Sequence, residues 1–340
     1  MSVDVFVAGA EGYHTFRIPA VVRSSLGTLL AFAEGRRGGA GDAGDIDLVL
    51  RRSFDGGRTW GPLLVVSRQG EDTVGNPAPV VDPATGDIVL LSTRNAGSAT
   101  ESALLRGSVS AADSRRVLVQ RSLDDGASWT SPRDLTESVK RPEWCWYATG
   151  PCHGIALHSG RLLVPANHSV GTAYGGHVLL SDDGGHTWRI GAVDSSNDGV
   201  NANETTVAEL PDGTLYFNTR NQHGSAAGTR AQATSSDGGE SFDRPYAPLP
   251  AVVGPVVQGS VLVHESRLLL SLPSDPEARR GMAVRSSADR GATWRTEVEV
   301  SDAPAAYSDL VVLATGRVGL LFETGGDGPY ERIAFVELAI

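Results

Sequence analysis

Apolar residues along this chain come in short runs broken by clusters of glycine, aspartate and serine. Ile46-Asp47-Leu48-Val49-Leu50, Val117-Leu118-Val119-Gln120, Leu215-Tyr216-Phe217 and Val318-Gly319-Leu320-Leu321 are of this kind. Brief apolar or alternating runs bounded by turn residues predict strands. No long stretch carries the amphipathic period of a helix. No apolar run approaches the ~18 residues of a membrane span.

The breaks repeat. Ser-x-Asp-x-Gly-x-Thr/Ser-Trp/Phe occurs five times, at Ser53 to Trp60, Ser122 to Trp129, Ser181 to Trp188, Ser235 to Phe242 and Ser287 to Trp294. The central aspartates Asp55, Asp124, Asp183, Asp237 and Asp289 are 69, 59, 54 and 52 residues apart. Each copy follows a strand-like run and reads as a turn. Aspartate accepts backbone N–H bonds, glycine takes a positive φ, and the aromatic residue packs back into its own sheet. Pro211-Asp212-Gly213-Thr214 and Ala314-Thr315-Gly316-Arg317 add hairpin signals between copies. One four-stranded antiparallel sheet per repeat predicts an all-β fold. Five copies, with C-terminal strands closing onto N-terminal ones, give a six-bladed β-propeller forming a single domain over residues 1–340. The repeat aspartates belong at the blade periphery, away from any axial site.

Composition narrows the partners. The 41 glycines and 18 prolines are scattered as tight turns require, and 40% hydrophobic residues can fill a large core. With 29 basic against 40 acidic residues the net charge is -11, which argues against nucleic acid as a partner. Nothing suggests a membrane partner, and the expected state is a monomer. Cys145 and Cys152 are too few for a disulfide framework or a four-ligand zinc site and read as free thiols. The eight histidines show no ligand pairing, so no metal or other cofactor is expected, and His153 and His177 read as structural or substrate-contacting. The opening Met1-Ser2-Val3-Asp4 has no basic and apolar leader, which implies a cytoplasmic protein, or a secreted one if a leader has been removed.

Charged residues inside strand-like segments point to the chemistry. Arg17 lies in Phe16-Arg17-Ile18-Pro19-Ala20, Arg220 ends Leu215 to Thr219, and Arg279 and Arg280 precede Met282-Ala283-Val284. A buried guanidinium needs a partner. Arginines from three separate repeats converging near the axis would form an anion clamp.

Phe16-Arg17-Ile18-Pro19, the five repeats and the stretch from Leu30-Ala31-Phe32-Ala33-Glu34-Gly35-Arg36 to Leu50-Arg51-Arg52 resemble the sialidase (neuraminidase) superfamily and its Asp boxes. The resemblance runs from Phe16 to about Glu323. It implies an exo-α-sialidase acting on sialylated glycans, with Arg17, Arg220 and Arg279 gripping the substrate carboxylate. Arg280 remains a rival to Arg279, since alternation along a strand lets only one face the axis. Tyr307, in Ala306-Tyr307-Ser308-Asp309-Leu310, corresponds to the nucleophile, and Glu204, in Asn203-Glu204-Thr205, to its partner. Asp42 corresponds to the acid/base, with Asp45 and Asp47 as alternatives. Glu323 corresponds to the glutamate that orients the first arginine, and Arg36 is a supporting residue. Tyr174 and Trp144-Cys145-Trp146-Tyr147 are weaker candidates for substrate pockets. A tyrosine nucleophile suits an anionic sugar, because a carboxylate would meet like charge at the anomeric centre. Two other readings stay open: a non-catalytic sialic-acid-binding propeller, and a transferase or intramolecular sialidase using the same residues.

Overall fold

The computed structural model describes residues 2–171, 173–194 and 199–340. Among these the chain is all-β, with two short helices, Glu101–Leu105 and Thr136–Val139. Neighbouring strands pair antiparallel, in consecutive groups. Thr15–Arg23, Leu29–Arg36, Ile46–Ser53 and Leu64–Ser67 form the first. Thr73–Val81, Ile88–Asn95, Arg116–Ser122 and Arg133–Asp134 follow, joined to the first by one parallel pair, Ile46 with Thr73. Tyr147–Thr149 and Ile155–Ala156 both pair with Leu162–Val170, which continues to Ala173–Ser181 and Arg189–Val193. Ala202–Glu209, Leu215–Asn221, Arg230–Ser235 and Ala247–Pro248 make the next group. Ser260–His264 pairs with Arg267–Pro273, that with Arg280–Ser287, and that with the first half of the 18-residue strand Arg295–Val312. Its second half pairs with Val318–Thr324, then Arg332–Leu338, and finally with Val3–Val7 from the other end of the chain.

The six largest hydrophobic clusters each join two consecutive groups. Leu30, Phe32 and Leu50 meet Val74, Ile88 and Leu90, for example, and Val5, Phe6 and Phe335 meet Phe16, Ala31 and Val49. Both faces of most strands are therefore buried.

All five repeats form the same turn. In the first, Asp55 Oδ1 accepts from Ser53 Oγ at 2.8 Å and Thr59 N at 2.9 Å, Oδ2 accepts from Thr59 Oγ1 at 2.6 Å, and Ser53 Oγ accepts from Gly57 N at 2.8 Å. These hydrogen bonds hold the Asp55 carboxyl down to about 2. The glycine two residues after the aspartate of each turn has φ between 81° and 90° and sits against the preceding sheet. One expectation is corrected. The aromatic residue does not as a rule fold back on its own sheet: Trp60 packs on Phe335, Trp129 on Phe32 and Trp294 on Tyr216, each in the group before. Phe242 does pack on Phe217 of its own group. The turn thus bolts neighbouring sheets together, because the aromatic ring reaches past its own hairpin to the open face next door.

Asp309 is a buried hub. Its carboxylate accepts from Val21 N (2.8 Å), His153 N (3.1 Å), Ser260 Oγ (2.7 Å) and Leu310 N (3.0 Å), and His153 Nδ1 lies 2.7 Å away. Cys152 brings its sulfur within 4.8 Å of the His153 and Asp309 donor atoms, yet the aspartate oxygens are already saturated by these bonds. Cys145 and Cys152 are both free thiols.

Candidate active site

The ladder of several groups breaks in the strand that borders one common cavity. Register shifts fall between Arg17 and Ala20, Gly75 and Ala78, Ala202 and Thr205, and Ala305 and Ser308. A bulge re-aims side chains out of strict alternation. Here the bulges carry Arg17, Asn76, Glu204 and Tyr307, all of which line one cavity with Asp42, Arg36, Arg220 and Arg279. Ile18, a β-branched residue, adopts φ 58° inside the first bulge, a costly conformation. Its N–H is repaid by a 2.9 Å bond to Glu323 Oε1.

Glu323 is fully buried and binds three groups at once. Arg17 Nε donates to Oε1 at 3.1 Å and Nη2 to Oε2 at 3.3 Å, and Tyr307 N donates to Oε2 at 3.0 Å. One carboxylate therefore sets both the first arginine and the backbone of Tyr307. The Tyr307 hydroxyl donates to Glu204 Oε1 at 2.5 Å, and Arg220 Nη1 donates to Glu204 Oε2 at 2.7 Å and to the tyrosine oxygen at 3.1 Å. Burial and then the Glu204 charge push the Tyr307 phenol far above its ordinary value, only partly offset by Arg220, Arg17 and Arg279. The tyrosine is a neutral hydroxyl poised to give its proton to Glu204.

Arg279 is placed differently from its neighbour Arg280. It lines the cavity, with its guanidinium carbon 5.6 Å from the Tyr307 ring centre, whereas Arg280 begins the next strand and is exposed. Arg279 has no carboxylate within ion-pair reach among the described residues; its partners are Tyr330 Oη at 2.6 Å and the Val256 carbonyl at 3.4 Å.

Asp42 sits on the rim, its side chain 61% exposed, 2.8 Å from Arg36 Nη1 and 3.6 Å from Arg17 Nη1. Partial burial pulls its carboxyl up, but Arg36 and Arg17 outweigh that and hold it below the ordinary range. Arg36 is buried, pairs with Glu34 at 2.6 Å and donates to the carbonyls of Ala40 and Gly41, so it pins the loop that presents Asp42. Its two alternatives do not line the cavity: Asp47 is held by Tyr13 and Arg37, and Asp45 faces Arg37 and Arg68.

On the far wall Arg115 and Asn76 were not foreseen from sequence, whereas Trp146 was among the candidates. Arg115, buried, donates to Asn76 Oδ1 at 3.0 Å and Thr93 Oγ1 at 2.6 Å, and its guanidinium lies 4.2 Å from the Trp146 ring centre. Glu34 accepts from Asn76 N at 2.8 Å. Of the aromatic cluster only Trp146 lines the cavity; Trp144 and Tyr147 pack in the core with His177. Tyr174 donates to Glu101, which lines the rim. His153 and His177 are buried and do not line the cavity. No short sequence pattern singles out Arg115 or Asn76.

Residues 27–320 match the BNR repeat-like domain family. An exo-alpha-sialidase of Aspergillus fumigatus is 35% identical, covering 92% of this chain and 79% of its own length. Sialidase-3 of Homo sapiens is 31% identical over 94% of this chain and 88% of its own. Among solved structures, the Hadza microbial sialidase Hz136 superposes with a TM-score of 0.87 at 26% identity, covering 99% of this chain and 68% of that one.

Proposed function

The chain belongs to the sialidase family and is a glycoside hydrolase of the exo-α-sialidase type, and we propose that it releases terminal sialic acid with retention, through a covalent bond between Tyr307 and the anomeric carbon. The observation that carries this reading is the 2.5 Å bond from the Tyr307 hydroxyl to Glu204, placed in a cavity lined by five arginines, Arg17, Arg220 and Arg279 among them, and by the exposed carboxyl of Asp42.

Arg17, Arg220 and Arg279 bind the substrate carboxylate and hold the anomeric carbon over Tyr307. Because the phenol resists ionisation, its proton leaves only as the new bond forms: Tyr307 oxygen attacks, Glu204 takes the proton, and Arg220 stabilises the developing charge. Asp42 protonates the departing glycosidic oxygen as the old C–O bond breaks. In the second half Asp42 takes a proton from water, water oxygen bonds to the anomeric carbon, and Glu204 returns the proton to the released tyrosine oxygen. A carboxylate in the place of Tyr307 would stand against the substrate's own charge; Glu204 stands behind the phenol instead.

We also read the sheets as six blades of one propeller domain. Support comes from the six consecutive strand groups and from clusters that join each group to the next, including the last to the first.

Turnover of an aryl sialoside tests the mechanism. Tyr307→Phe is expected to lose at least ~1,000-fold in kcat. A 2,3-difluorinated sialosyl donor is expected to add its sugar mass to the Tyr307 peptide of the wild type and not of the variant. Labelling elsewhere, or near-normal turnover by the variant, removes Tyr307 as nucleophile.

A further inference from the structure

Tyr330 touches two of the three arginines of the clamp without lining the cavity itself. Its ring centre lies 4.1 Å from the Arg17 guanidinium carbon, and its hydroxyl oxygen accepts from Arg279 Nη1 at 2.6 Å. Arg17 already has Glu323 as counter-ion. Among the described residues Arg279 has only neutral hydrogen-bond partners, Tyr330 and the Val256 carbonyl. Two cations kept close in a partly dry site repel each other, and a flexible guanidinium without an acceptor would swing toward water. An aromatic face holds one cation through its quadrupole while a hydroxyl lone pair holds the other. Neither contact spends the positive charge that a substrate carboxylate needs.

The loop that carries Tyr330 is built to deliver it. The Glu331 carboxylate accepts the backbone N–H groups of Gly326 (2.9 Å), Asp327 (2.7 Å) and Gly328 (3.0 Å), closing the turn on itself. The chain is tight enough that a Cβ on Gly325 would meet the Gly328 carbonyl at 2.0 Å. The half-buried Tyr330 ring then packs on Ile18, Val257, Ala306 and Tyr307, so its own freedom is small.

We propose that Tyr330 is a positioning residue that sets the spacing of Arg17 and Arg279 for the two oxygens of the substrate carboxylate. The inference rests on the clamp reading given above. Its sign is specific: Tyr330 acts through the arginines on substrate binding, and not on the bond-making atoms.

The test is a cycle of Tyr330→Phe, Arg279→Ala and the double variant, with Tyr330→Leu beside it, read by steady-state kinetics on an aryl sialoside, inhibition by free sialic acid, and thermal melts. Tyr330→Phe keeps the ring under Arg17 and loses the acceptor for Arg279. It is expected to raise KM and the sialic acid inhibition constant together by about tenfold, the worth of one hydrogen bond to a charged group, with kcat and melting temperature held. In the Arg279→Ala background the same change is expected to cost nothing further. Tyr330→Leu, which also removes the ring beneath Arg17, is expected to lower kcat as well. Additive losses in the double variant, or an unchanged KM in Tyr330→Phe, overturn the role of Tyr330. Failure of the clamp itself shows differently: wild-type inhibition by sialic acid would then be indifferent to Arg17→Ala and Arg220→Ala.

Discussion

At the scale of single residues, the site is a chain of shared carboxylates. Glu323 serves Arg17, Ile18 and Tyr307, and Glu204 serves Arg220 and Tyr307. Asp42 differs: it is exposed, and its partners depress its pKa although an acid catalyst needs a proton. In kcat/KM the alkaline limb reports loss of that proton in the free enzyme. A carboxyl held low by Arg36 places this limb on the acid side. Arg36→Met removes the nearest cation and raises the Asp42 pKa, so the limb is expected to move to higher pH even as the plateau falls through loss of the Ala40 and Gly41 tethers. A pH profile of kcat/KM checks it; a limb that stays put, or moves down, separates that ionisation from Asp42. Sequence made Arg17, Glu204, Tyr307 and Glu323 legible because each sits in a short motif. Tyr330 and Arg115 were not legible, since their roles come from contacts with residues distant in the chain, Arg17 for one and Asn76 for the other.

At the scale of elements, periodicity gave the strands but could not give their bulges. Strict alternation pairs Arg17 with Pro19 and sends Ile18 to the other face; the register shift after Arg17 breaks that rule and frees the Ile18 N–H for Glu323. The pattern of side chains says where strands lie, whereas a bulge depends on partners across the sheet. The turns were legible down to their hydrogen bonds, because Ser, Asp, Gly and Thr each have a local reason to be there. What they brace was not. Gly291 in the fifth turn has φ 88°, and a Cβ there would lie 2.4 Å from the Tyr216 ring of the preceding group. Gly213 has nearly the same φ, 85°, but a Cβ there would meet nothing within 4 Å. Gly213→Ala is expected to cost about 1–2 kcal/mol, the strain of a left-handed alanine. Gly291→Ala is expected to cost about 1–3 kcal/mol more from overpacking. Urea unfolding of the two variants measures the difference, and equal losses would show that the turn does not press on its neighbour.

At the scale of the whole molecule, five turns serve six strand groups for a reason of connectivity. Each repeat links the last two strands of its group, as Ser53 to Trp60 links Ile46–Ser53 to Leu64–Ser67. In the last group the third strand is Arg332–Leu338 and the fourth is Val3–Val7, which arrives from the opposite end of the chain. No covalent turn joins them, so no repeat is needed there, and the two strands are fastened by backbone pairing and by the burial of Val5 and Phe6 against Phe16, Ile333 and Phe335. That fastening also braces the site, because Phe16 of the same cluster precedes Arg17. Removing residues 1–8 is therefore expected to destabilise the protein by at least ~4 kcal/mol, since loss of one buried phenylalanine alone costs about 3–5 kcal/mol, and to reduce turnover although no residue of the segment lines the cavity. Thermal melts and sialoside turnover of the truncated chain measure both effects, and a synthetic peptide of residues 1–9 added in trans is expected to recover part of each by pairing with Arg332–Leu338. A truncated chain that melts and turns over like the full one would mean that the strand groups are held together through Asp309 and its partners from three other groups, without the terminal strand.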